Sequence, residues 1–398
     1  MSDNNQEPLV DIQIGDSRIT LLGTAHVSRA SADKVRELLA TDEYDAIAVE
    51  LCPSRYNSLI DPESLARMDL FRVIREKKVL MVIASLALSA FQQRMAEQFG
   101  IEPGAEQRAA IKAAQDSHRP VLLIDREIGV TLKRVSHNVP WWQRYMLFTG
   151  LLSSVVSHEE VTEEEIEKLK EGDILETTFA QFAAEQKDLY LPLIDERDQY
   201  MAARLLEEVQ RDGHENVLAV VGAGHLKGIQ NYLEAGVGQP RARIDELDQM
   251  PVPSLWPKMI PWAIVALILV GFGIGFSRSP ELGWQMVADW VLINGGLSAL
   301  GAILAAAHPL TVITAFLAAP LTSLNPTIGA GMVTAAAEIY LRKPEVGDFS
   351  RLRKDTMNVK GWWRNRVSRV LLVFVLSTLG SAIGTYVAGF KIFGRLAG

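Results

Sequence analysis

Beyond Lys258 the chain changes character. Four apolar runs, at residues 259–276, 284–307, 310–341 and 370–390, fill most of the remaining length. Each reaches or exceeds the roughly 18–20 apolar residues that carry a helix across a bilayer. Residues before 258 mix charged and apolar stretches as a soluble domain does. Between the two parts, residues 239–257 hold four prolines and read as a connector. The sequence therefore predicts a soluble-type domain over 1–238, a Pro-rich linker over 239–258 and a helical transmembrane domain over 259–398.

Within the first part, residues 9–14 and 18–23 flank Gly15-Asp16 and predict a β-hairpin. Short apolar runs at 46–51, 121–124 and 216–221 predict buried strands. Helical spacing is found at 31–39, 61–99, 106–116 and 193–210, and residues 141–156 predict a further apolar helix. Strands alternating with helices give an α/β fold, with a mostly parallel sheet covered by helices on both faces.

Two of the strands end alike. Gly23-Thr24-Ala25-His26 follows one, and Gly222-Ala223-Gly224-His225 follows another. Each is a strand, a glycine turn and a histidine, paired Gly-x-x-His motifs that present an imidazole beyond the strand's carboxyl end. In open α/β sheets ligands bind at that edge. Histidine is the commonest metal ligand and general base. Two further strands end in polar residues, Glu50 and Asp125-Arg126, which ordinary packing does not require. A carboxylate in the apolar run around Glu50 needs a partner, either Arg55 or a metal. Arg197 falls in the first turns of a helix, where the dipole disfavours a cation, so a fixed anionic partner is expected.

Other features narrow the class. Acidic residues number 48 against 40 basic ones, a net charge of −8, which argues against a nucleic-acid binder. Cys52 is the single cysteine and excludes an internal disulfide. The first residues show neither a basic region nor an apolar core, so no cleavable signal peptide is expected and the first domain is expected in the cytoplasm. Nine basic residues between Arg342 and Arg369 are expected on the same side. The run at 310–341 is too long for one crossing and contains Ser323-Leu324-Asn325-Pro326, which predicts a break near residues 320–326.

The ordered set of motifs resembles the TraB/PrgY family. It comprises Gly23-Thr24-Ala25-His26-Val27-Ser28, Val49-Glu50-Leu51-Cys52 with Arg55, and Ile124-Asp125-Arg126-Glu127 with Thr131 and Arg134. Glu196-Arg197-Asp198 and Gly222-Ala223-Gly224-His225-Leu226 with Gly228 complete it. Glu127 stands where the family pattern has aspartate. The family groups with Tiki proteases, pheromone-shutdown proteins and GumN-like proteins, and erythromycin esterases are proposed distant relatives. The resemblance implies a site made of His26, Glu50, Arg197 and His225.

On this basis the expected protein is a multi-pass membrane hydrolase, foremost a metal-dependent peptidase. His26, His225 and Glu50 would hold manganese, cobalt or zinc. Glu50, Arg197 and Arg126 would serve catalysis, and Arg55, Asp125 and Glu196 would hold a peptide or small-molecule substrate. The alternatives are a metal-free His/Glu hydrolase like the esterases and a non-catalytic peptide-binding or transport protein. Expected partners are the substrate and membrane lipid, with self-association left open and nucleic acid excluded.

Overall fold

A computed structural model describes residues 7–24, 29–61, 68–99, 104–140, 186–250 and 256–397, with single positions between 142 and 149. The apolar run at 141–156 and the glutamate-rich stretch at 161–171 thus lie largely or wholly outside the described residues. The chain forms two compact units. The first takes in Met1–Pro62, Gln92–Gly150 and Ser157–Val252, and the second Glu63–Phe91, Leu151–Val156 and Pro253–Gly398.

The first unit is built on a five-stranded sheet. Strands β1 (Leu9–Ile14) and β2 (Ser17–Thr24) form the hairpin, turning at Gly15 with φ +59°. Helix α1 (Arg29–Leu39), strand β3 (Ala46–Val49) and helix α2 (Pro53–Ile60) follow. Helices α3 (Leu70–Arg75) and α4 (Val79–Phe99), which fall wholly and mostly in the second unit, come next in the chain, before α5 (Ala105–Asp116) of the first. Strand β4 (Val121–Leu123), helix α6 (Ile128–Asn138), helix α7 (Glu196–Asp212), strand β5 (Asn216–Gly222), helix α8 (Ala223–Ala235) and helix α9 (Pro240–Asp248) complete the described elements. The sheet order is β1-β2-β5-β3-β4, and only the β1–β2 pair is antiparallel.

Alternation along the strands divides the core. Ile19, Leu21, Ala46, Ala48, Val217, Ala219 and Val221 pack on Met201, Ala202 and Leu205 of α7 and on Ile229 and Leu233 of α8. Leu22, Ile47, Val49, Leu218 and Val220 face the other way, onto Val35 of α1 and Ala110, Ile111 and Ala114 of α5. Burial of both faces explains why the strands read as unbroken apolar runs. The parallel register sets Thr24 of β2 opposite Gly222 of β5, so the two strands end at the same edge of the sheet.

Two elements depart from the sequence. The single helix predicted over 61–99 is interrupted: α3 ends at Arg75, Lys77 takes a left-handed φ of +57°, and α4 restarts at Val79. The charged run Glu76-Lys77-Lys78 favours solvent over a continued apolar face. The stretch predicted as linker contains helix α9, which Pro240 starts as a first-turn proline and whose Ile244 and Leu247 are buried against Tyr200 and Ala203.

In the second unit, helices α10 (Trp256–Arg278), α11 (Pro280–Leu304) and a long C-terminal helix carry the apolar runs. The run at 310–341 divides into α12 (Pro309–Thr322) and α13 (Ala330–Arg342), each about 20 Å long and shorter than a roughly 30 Å hydrocarbon core. The C-terminal helix, α14, covers Arg366–Ala397. Three helical segments, Met259–Arg278, Pro280–Leu304 and Arg366–Ala397, are long and apolar enough to cross a membrane. Small residues let these helices touch. A Cβ on Gly301 of α11 would lie 2.1 Å from the Leu376 carbonyl of α14. Leu70, Ile74, Val79, Ile83 and Ala87 pack in this unit against Ala335, Ile339, Trp362, Val367 and Leu371.

Leu205 is fully buried between α7 and the sheet. Leu205→Ala should destabilise the first unit by about 2–5 kcal/mol through lost burial and the cavity left behind. Urea unfolding of the full chain would measure this, and an unchanged midpoint would contradict the packing described.

Candidate active site

The carboxyl ends of β3, β4 and β5 deliver Glu50, Asp125 and His225 to one point, and α7 delivers Arg197 to its centre. A π-helical turn over Leu191–Asp195 leads into α7. Such turns re-aim the residues after them and are frequent at functional sites. Arg197 then reaches back so that its Nη1 donates to the Leu193 carbonyl at 3.3 Å.

Arg197 is the hub. Its Nε and Nη2 donate to the two oxygens of Asp125 at 3.0 and 2.9 Å, a two-pronged pair. Nη2 also donates to Glu50 Oε1 at 2.6 Å, and Nη1 to His225 Nε2 at 3.0 Å. Burial alone would lower the arginine's pKa, but Asp125 and Glu50 outweigh it and raise it. The second oxygen of Glu50 accepts the Gly222 amide at 2.7 Å, tying β3 to the turn that carries His225.

The far side of the imidazole is held by Asp198, whose Oδ1 lies 2.5 Å from His225 Nδ1. Arginine has no acceptor, so the Nε2 that Arg197 touches carries a lone pair, and the ring proton is on Nδ1, donated to Asp198. Gly228 makes room for this pair. A Cβ there would lie 2.0 Å from Asp198 Oδ2. Burial pushes the Asp198 pKa up to about 6, against the pull of the His225 hydrogen bond.

His26 lies outside the described residues. Arg55 stands at the margin, half exposed, with Nη1 3.6 Å from Asp125 Oδ2. Arg126 and Glu196 lie in an adjoining buried network. Arg126 donates from Nη1 to Glu196 at 2.8 Å, from Nε to Thr131 at 3.0 Å and from Nη2 to the Pro192 carbonyl at 2.9 Å. Arg134 grips both Glu196 oxygens at 2.6 and 2.7 Å. These contacts lock α6 and the π-turn in place, and they position Arg197, the next residue in the chain. Asp198 is the site residue that sequence reasoning missed. An acid in a helix's first turn has an ordinary role with the dipole, and its pairing with His225 beside Gly228 is visible only in the fold. Cys52 is buried, and burial pushes its thiol pKa up, so it is no nucleophile.

A cleft of about 600 Å³ opens beside Asp125, with Pro53, Leu123, Tyr200, Arg204 and Arg241 among its walls. Its size suits a small ligand or a short peptide segment.

Comparison with known proteins agrees with the motifs. Residues 8–235 match the TraB/PrgY/gumN family model, and residues 256–397 match that of the TraB family protein C-terminal domain. The chain belongs to the TraB/PrgY/gumN family. An uncharacterized protein of Methanocaldococcus jannaschii is 33% identical over 390 residues, covering 96% of each chain. TraB domain-containing proteins of Bos taurus and Homo sapiens are 32% and 30% identical over 286 residues, covering 65% of this chain and 73% of theirs.

A divalent metal is the cofactor that the family resemblance implies. His225 Nε2 and Glu50 Oε1 are 3.6 Å apart, a separation two ligands of one ion can have. Both atoms already accept hydrogen bonds from Arg197, so an ion between them would meet a guanidinium. Among the described residues no three His, Cys, Asp or Glu side chains converge to hold a metal. Arg197 thus occupies both described atoms, and His26, the third ligand that the resemblance implies, lies outside the described residues.

The raised Asp198 pKa has a stability consequence. The folded state holds this proton more tightly than the unfolded chain, so its stabilising contribution is complete below about pH 4 and is lost as pH rises through about 6. Asp198→Asn should therefore gain stability relative to wild type as pH rises across that window. Melting temperatures of both proteins across it would show a widening difference, and a difference independent of pH would contradict the assignment.

Proposed function

We propose that this TraB-family protein is a membrane-anchored hydrolase in which His225 activates water without a resident metal. The observation that carries the reading is the Asp198–His225–Arg197 chain. Asp198 fixes the imidazole with its proton on Nδ1, and Nε2 is left as a base on the side of Glu50 and Arg197.

Arg197 has the right anchoring for a second role. Asp125 holds its Nε–Nη2 edge, so Nη1 is able to leave His225 for a substrate carbonyl oxygen without loss of the two-pronged pair. That exchange frees Nε2 to take a proton from water and places a cation where negative charge develops. Glu50, fixed by Gly222 and Arg197, orients the attacking water. The cleft that Asp125 borders receives the substrate, foremost a peptide, and Arg55, 3.6 Å from Asp125, meets its charge.

The three long apolar helices support insertion of the second unit in a bilayer. The basic residues between Arg342 and Arg369 support a cytoplasmic position for that segment.

The full chain in detergent, assayed against quenched fluorogenic peptides and p-nitrophenyl esters, should turn over at least one class. Chelation with EDTA should leave the rate unchanged. His225→Ala should lower it by about 10²–10⁴-fold, the usual contribution of a positioned base. Loss of activity in EDTA with recovery on adding manganese, cobalt or zinc would overturn the metal-free reading.

The rate should also rise with pH through about 6, because ionised Asp198 accepts the Nδ1 proton more strongly than its neutral carboxyl and makes the imidazole a better base. Asp198→Asn should lose that limb of the profile. Gly228→Ala, which displaces Asp198 without changing it, should lower kcat with the same loss. An unaltered profile in both variants would make Asp198 a packing residue.

A further inference from the structure

The second unit carries a file of polar side chains that the hydrolase reading does not use. On α14, Ser377, Ser381 and Thr385 recur every four residues, one hydroxyl per turn on one face. On α11, Asp289, Asn294 and Ser298 are buried on the facing side. Ser377 Oγ meets Thr334 Oγ1 of α13 at 2.7 Å. Ser381 Oγ meets Ser323 Oγ at 2.8 Å, and both hydroxyls donate to Asn294 Oδ1, at 3.1 and 3.0 Å. Asn294 Nδ2 in turn donates to Thr385 Oγ1 at 3.0 Å.

The file ends in a carboxylate on either side. At one end Asp289 pairs with Lys391 at 2.8 Å and Arg395 at 2.6 Å. At the other, Glu338 is 1% exposed. Its Oε2 accepts from Thr311 Oγ1 at 2.6 Å and from the His308 amide at 2.9 Å. Its Oε1 is buried and makes no hydrogen bond, and the nearest cation, Arg342 Nη1, is 3.4 Å away and donates instead to the Ala306 carbonyl.

Packing alone explains the hydroxyls, since serine and threonine bridge apolar helices. It does not explain Glu338. Glu338 Oε1 has only the ion pair with Arg342 at 3.4 Å and no hydrogen bond, and an ionisable group among apolar helices marks an ion or proton path.

We propose that this file is a proton relay through the helical unit, with Glu338 and Asp289 as its terminal groups. The proposal rests on the membrane reading above. Each transfer between hydroxyls breaks one O–H bond and forms the next, and Ser381 passes its proton to Thr385, one turn on, through a bridging water while Asn294 only orients the two hydroxyls. Glu338 Oε1 takes the proton as a neutral carboxyl, and no electron changes hands. Thr334 to Glu338 and Ser377 to Ser381 are each one turn, about 6 Å, a span one water bridges. Thr385 to Lys391 adds about 9 Å. Between Ser377 and Arg395 the file runs about 27 Å, close to the roughly 30 Å depth of a hydrocarbon core.

The test uses the full chain reconstituted in phosphatidylcholine–phosphatidylglycerol vesicles, with pyranine trapped inside and a valinomycin potassium potential. Wild type should acidify the lumen several-fold faster than protein-free vesicles. Glu338→Gln and Ser377→Ala should fall to the protein-free rate while eluting and melting as wild type does. If Glu338→Gln fails to fold, Thr334→Val, which removes a hydroxyl at constant shape, is judged by the same criterion. A wild-type rate equal to that of protein-free vesicles, or variants as fast as wild type, would overturn the relay. Flotation separates the two readings. Protein that floats with vesicles but passes no protons contradicts the relay alone, and protein that does not float contradicts membrane insertion as well.

Discussion

A guanidinium held inside the first unit by two carboxylates and an imidazole is the interaction on which the rest of this site depends. Arg197 is largely out of water, and its charge is tolerable only because Asp125 and Glu50 face it. Those partners come from the ends of β4 and β3, and the third, His225, from the turn after β5. Removing the arginine would take the closest cation from two buried carboxylates. The sheet order and parallel register are therefore part of the electrostatics, because they bring three strand ends to within reach of one side chain. The second network, in which Arg126 and Arg134 hold Glu196, fixes the turn from which Arg197 is aimed.

Asp198 shows the opposite balance. Burial makes its ionised form costly, yet that form accepts the Nδ1 proton of His225 most strongly and keeps Nε2 without a proton. The site gives up stability near neutral pH to hold one tautomer. Gly228, which no larger residue can replace without moving Asp198, is the backbone counterpart of that choice. In the helical unit a related balance recurs at Glu338, where a carboxylate is kept buried with one oxygen that makes no hydrogen bond.

Much of this is legible from the residues. Apolar strands ending in Glu50, Asp125 and His225 announce a shared edge, because packing gives no reason for polar groups at one end of several strands. Arg197 is legible as a misfit with its helix dipole. The division of the run at 310–341 follows from its length against a bilayer. Arg126 and Glu196 are harder, since a charged pair beside a site looks the same in sequence whether it meets substrate or another side chain. Asp198 is masked by its helix-start position. The interruption at Lys77 and the helix at Pro240–Asp248 depend on tertiary burial that local composition does not encode.

The most direct test of the account is the protonation of His225. Nitrogen-15 spectra of full-length protein labelled at its seven histidines, with His225→Gln identifying the resonance, report both ring nitrogens. The account predicts a ring with its proton on Nδ1 and an Nε2 that carries none and accepts a hydrogen bond. A ring protonated at Nε2, alone or together with Nδ1, would contradict the Arg197 contact and the mechanism built on it.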